Sequence, residues 1–124
     1  MASQTTAAEQ TAGGSNAGSL LQSTVYSAPI NSDGTVGSWT TEANSLPQNR
    51  TSSAMAAFNG RLFVAGGVSR EGNSGSATPH STVYSAPINA NGSVGVWITA
   101  TASLPKALSN LGLAAWKGQL YAAG

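Results

Sequence analysis

The residues able to do acid–base or metal chemistry are few, because this 124-residue chain has one histidine, four acids and no cysteine. The histidine, His80, shares a polar stretch with Arg70 and Glu71. An imidazole can act as a general base or a metal ligand. With no second histidine and no thiolate, however, the sequence assembles no zinc site, no Ser/His/Asp group and no paired carboxylates. We therefore predict no catalytic residue, no metal site and no cofactor in this chain.

Four of the nine charged side chains and the one histidine fall in two stretches, 42–50 and 68–80, that have the composition of loops. Loops carry many binding residues in proteins because a rigid scaffold of strands or helices positions them. If both loops lie on one rim, their polar residues form a candidate ligand site, although charge in solvated loops is also typical of sites with no ligand. The candidate residues are Asn49, Arg50, Arg70, Glu71 and His80.

The elements that must position these loops are repeated. The segment STVYSAPIN occurs at 23–31 and again at 81–89, and a shift of 58 residues aligns 23–66 with 81–124 with 23 identities in 44 pairs. A period of this length is the signature of a repeat architecture. The chain then divides into a flexible low-complexity lead-in at 1–22, a first repeat at 23–80 and a truncated second repeat at 81–124.

Each period contains short β-branched and aromatic runs separated by turn signals, without helical periodicity. The runs STVYSAPI, TVGSWTT, SSAMAAF and RLFVAGG have the composition of strands, and Asp33-Gly34 and Asn59-Gly60 are hairpin signals. Four antiparallel strands joined in this way form one β-propeller blade. We predict an all-β protein, a β-propeller of four-stranded blades, of which the chain holds one complete blade and two half-blades.

The order of these features resembles the bacterial kelch-type repeats of the propellers in galactose oxidase and sialic acid mutarotases. Small apolar residues precede a turn, a hydrophobic strand ends in Gly66-Gly67, and a tyrosine strand and a tryptophan strand follow. The resemblance covers about residues 23–124, with a tyrosine-to-tryptophan spacing of 13 that is longer than usual in kelch repeats. It implies buried tryptophan anchors and close backbone approach at the glycines. The copper ligands of galactose oxidase have no counterparts. The residues given structural roles are Tyr26, Trp39, Gly66, Gly67, Tyr84 and Trp97.

The blades predicted at the two ends of the chain are incomplete, which raises the question of what completes them. Ala12-Gly13-Gly14 repeats the end of a second blade strand, but Glu9-Gln10-Thr11 stands where the later copy has Leu62-Phe63-Val64, so we expect no buried second strand there. Two explanations compete for the incomplete blades. The chain is a piece of a longer propeller, or its ends complete one another between copies, as in a trimer of six blades.

Three functions remain open from the sequence. The first is a non-catalytic propeller module that binds a protein or a carbohydrate, on or outside a bacterial cell. The second is a piece of a mutarotase-like or oxidase-like propeller enzyme whose catalytic residues lie elsewhere, and the third is a self-assembling scaffold. Near-identical repeats favour the first and third, because an active site makes repeats diverge in their loops.

The composition restricts partners and location. A net charge of +1 with scattered basic residues gives no electrostatic footprint for nucleic acid. No stretch is long and apolar enough for a membrane span. Only 7% of the residues are charged, and the abundant hydroxyl and amide side chains favour an extracellular or cell-surface location, although MASQTTAAEQ lacks the apolar core of a secretory signal.

Overall fold

The computed structural model describes residues 8–14, 21–71 and 76–124, with the backbone alone for 8–12. These residues form an all-β fold, which confirms the all-β part of the fold predicted from the turn and strand signals. Across the same ranges there is no helix, and hence none with the length and apolar character needed to cross a membrane. The remainder of the predicted lead-in, residues 1–7 and 15–20, lies outside the described residues.

Eleven strands are described, and every pairing between them is antiparallel. The strands are β1 (Ala8–Ala12), β2 (Val25–Pro29), β3 (Thr40–Thr41), β4 (Ala54–Phe58), β5 (Arg61–Ala65), β6 (Val68–Ser69), β7 (Thr78–Pro79), β8 (Val83–Pro87), β9 (Ile98–Thr99), β10 (Gly112–Trp116) and β11 (Gln119–Ala123).

The strands form four small sheets, and none of the sheets in the described ranges closes on itself. We call β1–β2–β3 the N-terminal sheet, β4–β5–β8–β9 the central sheet, β10–β11 the C-terminal hairpin and β6–β7 the rim hairpin. The central sheet contains four strands in chain order, as tight hairpins and short loops favour. Its first strand, β4, lies against β10 of the C-terminal hairpin.

The tight hairpins form where the sequence supplies residues that tolerate positive φ. Asn59 and Gly60 have φ values of 53° and 75°, and Lys117 and Gly118, their counterparts one period later, have 46° and 81°. Two consecutive residues of positive φ match the right-handed twist of the flanking strands. The repeat therefore preserves backbone conformation even where asparagine is replaced by lysine.

The fourth strand of each repeat is shorter than the sequence predicts. Of the run TVGSWTT, only Thr40–Thr41 forms a strand, β3. Val36 forms an isolated bridge with Ile30. Pro29 has no N–H to continue the ladder, and a Cβ at Gly37 would lie 2.7 Å from the Pro29 ring. Proline and glycine together therefore convert this part of the run into an irregular arm.

Two apolar cores lie on opposite faces of the central sheet. Successive strand residues point to opposite faces, so Val64 and Tyr84 face the N-terminal sheet while Ala65 and Val83 face the C-terminal hairpin. In the first core these side chains pack with Val25 of the N-terminal sheet. The three sheets are therefore stacked in the order of the sequence.

The paired glycines permit close backbone contact between loops. Gly66 and Gly67 have φ values of 66° and 89°. A Cβ at Gly66 would lie 2.5 Å from the carbonyl oxygen of Leu108, and one at Gly67 would lie 2.7 Å from that of Thr51. Any larger residue at either position would force these loops apart.

Trp39 requires a correction, because the sequence predicts burial for both repeat tryptophans. Trp97 is 7% exposed, whereas Trp39 is 49% exposed. Trp97 packs in the core between the N-terminal and central sheets, next to Leu46. Trp39 occupies the same place on the outer side of the N-terminal sheet, where no further described sheet covers it. Burial of the tryptophan therefore depends on the preceding repeat.

The segment around Glu9 also requires a correction. The structure places Ala8–Ala12 in a strand, β1, which pairs along the whole of β2. Gly13 N–H donates to the carbonyl of Thr24 at 3.0 Å, as Gly66 N–H does to Thr82 in the central sheet. Pairing of this kind uses backbone groups alone, so loss of apolar side chains does not prevent it. The trimer hypothesis assumed that this edge of β2 is open. The structure shows instead that β1 occupies it.

Candidate functional site

A polar cleft of about 400 Å³ lies where two loops meet at one end of the central sheet. One loop runs from β3 to β4, and the other consists of the rim hairpin and its flanking residues. The tight turns at Asn59-Gly60 and Lys117-Gly118 lie at the opposite end of the strands. We call this space the rim cleft, and its described lining is Gln48, Asn49, Ser69, Arg70, Glu71, Ser76, Thr78 and His80.

Asn49 fixes the two loops to each other. Its amide Nδ2 donates to the carbonyl of Arg70 at 2.9 Å, and its Oδ1 accepts from the Arg70 N–H at 3.1 Å. One side chain thus pairs with both backbone groups of one residue, as a neighbouring strand would. The mutual position of the two walls of the rim cleft is set by this contact, so Asn49 has a positioning role as well as a place in the lining.

His80 is held against the rim hairpin by a side-chain and a backbone contact. Its Nε2 lies 2.7 Å from the Oγ of Ser69, and its N–H donates to the carbonyl of Gly67 at 2.9 Å. Burial, and secondarily the positive charge of Arg50, lower the pKa of His80 below its ordinary value of 6.5. The imidazole is therefore neutral near pH 7 and offers one donor and one acceptor nitrogen.

Arg70 and Glu71 bring opposite charges to the cleft. The Arg70 side chain is half-buried, and its Nε is buried without a hydrogen-bond partner among the described residues. Glu71 is exposed. A buried N–H without a partner carries a desolvation cost that an added acceptor can relieve. The arrangement suits a ligand that presents hydroxyl or carbonyl oxygens.

Arg50 differs from the role expected for it, because its side chain is only 1% exposed. Its Nε donates to the Gly66 carbonyl at 3.2 Å, and its Nη1 donates to Gln48 Oε1 at 2.9 Å and to the Asn49 carbonyl at 3.2 Å. Its Nη2 donates to the Tyr84 hydroxyl at 3.2 Å. Burial lowers the pKa of Arg50, and Tyr84 opposes that shift. Arg50 therefore joins the β3–β4 loop to the central sheet and is not offered to a ligand.

Glu42 and Asn44, also rim residues by sequence, lie between the N-terminal and central sheets. Glu42 Oε1 accepts from the Val94 N–H at 2.7 Å, and Oε2 accepts from the Ser27 hydroxyl. Asn44 Nδ2 donates to the Val94 carbonyl at 3.0 Å, while Trp97 Nε1 donates to the Asn44 carbonyl at 3.1 Å. These bonds fix the second repeat's hairpin to the first repeat.

The sequence contains a signal for this group of contacts. One period after Glu42, Asn44 and Arg50 the chain has Ala100, Ala102 and Leu108. Polar residues that occur in only one of two near-identical repeats indicate a contact made by only one of them. Comparison of the repeats would have marked these residues for contacts between repeats, although it also marks Asn49, which has Ala107 one period later.

A second cleft, of about 340 Å³, lies between β2 and the turn at 89–93. Its one carboxylate, Glu42, already accepts two hydrogen bonds. The turn itself is closed by Asn91 Oδ1, which accepts from Ser93 N–H at 3.0 Å and Ser93 Oγ at 2.6 Å. Asp33 makes the same two bonds to Thr35 at the same distances in the first repeat. Both turns thus use their side-chain oxygens internally.

In the described ranges, no three His, Cys, Asp or Glu side chains lie close enough together to hold a metal ion. The rim cleft contains one acid, one neutral imidazole and one guanidinium, whose joint chemistry is hydrogen bonding. The chain matches no protein-family model and no curated protein by sequence.

Proposed function

We propose that the chain is a non-catalytic binding module, built from kelch-like propeller blades, whose rim cleft binds a carbohydrate or a protein segment. The observation that carries the proposal is the meeting of Asn49, Arg70, Glu71 and His80 from two loops around one cleft. The central sheet supports the blade assignment, because its four antiparallel strands follow one another in chain order and stack on a neighbouring repeat.

The chemistry of the lining favours a carbohydrate over a protein segment. Glu71 accepts hydrogen bonds, Arg70 donates them, and the amide of Gln48 and the neutral imidazole of His80 do both. Adjacent hydroxyl groups on a sugar ring both donate and accept, so they match this mixed set. The volume of about 400 Å³ lies within the usual range for small-ligand sites.

Hydrogen bonds between the described parts of the two loops make the cleft suitable for recognition. Asn49 pairs with both backbone groups of Arg70, and His80 is bonded to Ser69. A preorganised site loses less conformational entropy when a ligand binds. The described walls of the cleft therefore need little ordering at the moment of binding.

Binding to a glycan array by the 124-residue chain tests the proposal. For a glycan that the chain binds, Arg70→Ala should weaken the affinity by about tenfold or more, because a charged hydrogen bond contributes about 1.5–3 kcal/mol. Lys117→Ala is the matched control, since Lys117 is an exposed cation at the opposite end of the strands. Equal losses from the two variants, or no binding to any glycan or peptide probe, would refute the proposal.

A further inference from the structure

The two repeats present equivalent apolar faces that differ in burial. Tyr84 is 6% exposed, because the N-terminal sheet covers it and Trp97. Tyr26, its counterpart in the first repeat, is 42% exposed and lies on the same outer face as Trp39. An exposed apolar patch of this kind marks an interaction site. The chain itself shows what covers such a face, namely another repeat.

The opposite end of the stack carries an open strand edge. β5 lies between β4 and β8 in the central sheet, whereas β11 pairs with β10 alone in the described part of the chain. Leu62 of β5 is 1% exposed, and its counterpart Leu120 in β11 is 38% exposed. An unpaired edge with exposed apolar side chains is a template for a strand from another chain.

The pairing register identifies the edge of β2 as the match for β11. In the central sheet Phe63 of β5 lies opposite Ser85 of β8. In the N-terminal sheet Gln10 of β1 lies opposite Ser27 of β2, and Ser27 is the repeat counterpart of Ser85. Tyr121 of β11 is the counterpart of Phe63. β1 and β11 therefore fit the same edge of β2 in the same register.

The sequence of β11 suits that edge better than the sequence of β1. Where the central sheet has the buried Leu62, β11 has Leu120 but β1 has Glu9. Burial of a leucine stabilises a fold, whereas burial of a carboxylate costs free energy unless the charge is paired. Only β11 can extend the apolar face formed by Tyr26 and Trp39.

A chain cannot make this pairing with its own β11. The N-terminal sheet packs on the face of the central sheet that carries Val64, and the C-terminal hairpin packs on the face that carries Ala65. The central sheet thus separates β2 from β11. A β11 strand that pairs with β2 therefore belongs to a second molecule.

We propose that β1 is a placeholder, and that β11 of a second copy of this chain displaces it from β2. The exchange forms a four-stranded sheet, β10–β11 from one copy and β2–β3 from the other. It pairs the open edge of β11, and it brings the second copy's central sheet, which packs on its own C-terminal hairpin, over Tyr26 and Trp39. The cost is the release of one five-residue strand. The inference is independent of any ligand in the rim cleft.

Disulfide trapping tests the register directly, because the chain has no cysteine. Val64 lies opposite Tyr84 in the central sheet, so Ala122 should lie opposite Tyr26 of the other copy. A mixture of Tyr26→Cys and Ala122→Cys chains should form about tenfold more disulfide-linked heterodimer than a mixture of Tyr26→Cys and Tyr121→Cys chains, since a shift of one residue puts the thiol on the other face. Equal yields would overturn the proposal.

A second experiment tests the role of β1. Thr11 lies opposite Tyr26, so a Thr11→Cys/Tyr26→Cys chain locks β1 onto β2 when oxidised. Sedimentation velocity should show association of the reduced chain and a monomer after oxidation, and circular dichroism of both forms checks that they stay folded. The reduced form is the matched control. Association that is unchanged by the lock, or absent in both forms, would contradict the placeholder role.

Discussion

The guanidinium of Arg50 lies across the ring of Tyr84, with its central carbon 5.2 Å from the ring centroid and Nη2 3.2 Å from the phenolic oxygen. Arg50 lies in the loop between β3 and β4 of the first repeat, whereas Tyr84 lies in β8 of the second repeat. All four hydrogen bonds of the guanidinium go to neutral oxygens. A buried cation held in this way is costly to expose and costly to remove.

Replacement of Arg50 by leucine, the residue at the equivalent position 108, should therefore weaken the fold. We expect the free energy of unfolding to fall by about 2–4 kcal/mol, because the Gly66 carbonyl and the Tyr84 hydroxyl lose their donor. Urea denaturation measures the change. Lys106→Ala, at an exposed cation in the equivalent loop of the second repeat, is the control and should leave stability unchanged.

A double-mutant cycle with Tyr84→Phe separates the contact from general disruption. The cation–π contact survives that change while the hydrogen bond is lost, so the coupling energy should be about 1–2 kcal/mol. Strict additivity of the two changes would mean that the guanidinium and the hydroxyl do not interact.

The two repeat tryptophans should respond differently to truncation. Trp97→Ala should cost about 3–5 kcal/mol, as large core truncations do, and it also removes the donor to the Asn44 carbonyl. Trp39→Ala should cost under about 1 kcal/mol in a monomeric chain, because the side chain is half-exposed. Thermal and urea unfolding of both variants gives the comparison, and similar losses would contradict the stacking order of the sheets.

His80 should make stability depend on pH in the mildly acidic range. Burial lowers its pKa in the folded state, so the folded chain binds this proton less readily than the unfolded chain. The contribution of the neutral imidazole to the free energy of unfolding is complete above 6.5, the pKa of His80 in the unfolded chain. It is lost as the pH falls through that value towards the lower pKa of the folded chain. Denaturation midpoints should therefore decrease between about pH 7.5 and about pH 5.

The matched variant for this effect is His80→Gln, which keeps a polar partner for Ser69 but does not titrate. Its midpoint should change less with pH than that of the unaltered chain over the same interval. Identical pH profiles for the two chains would show that the imidazole does not contribute.

The turn at Asp33 should behave as a hairpin turn and not as a calcium loop. Asn91 makes the same two hydrogen bonds in the second repeat, at the same distances, without a carboxylate. Asp33→Asn should leave the melting temperature unchanged at neutral pH. Addition of calcium should have no effect on either chain, and a calcium-dependent rise that Asp33→Asn abolishes would contradict this interpretation.

The strand order was predictable because it depends on local signals. Pairs such as Asn59-Gly60 fix hairpins through their own backbone preferences, and the alternation in STVYSAPI fixes a strand. Those signals occur in both repeats, so the four strands of the central sheet follow from them.

Burial was harder to predict because it depends on what lies beside a repeat. Trp39 and Trp97 have nearly identical local sequences, yet only Trp97 has a preceding sheet to cover it. Likewise, Arg50 belongs to a polar stretch that is typical of a rim loop, but its side chain is buried and donates to the Tyr84 hydroxyl. β1 was missed because it pairs through its backbone, which its polar side chains do not reveal.

The most direct test of the rim cleft as the ligand site is a nuclear magnetic resonance titration with the glycan or peptide that binds the chain. We predict that the backbone amide shifts of Asn49, Arg70, Glu71 and His80 change with added ligand. The amides of Asn59 and Lys117, at the far end of the strands, should stay unchanged. Shifts confined to that far end, or to the outer face at Trp39, would contradict the account.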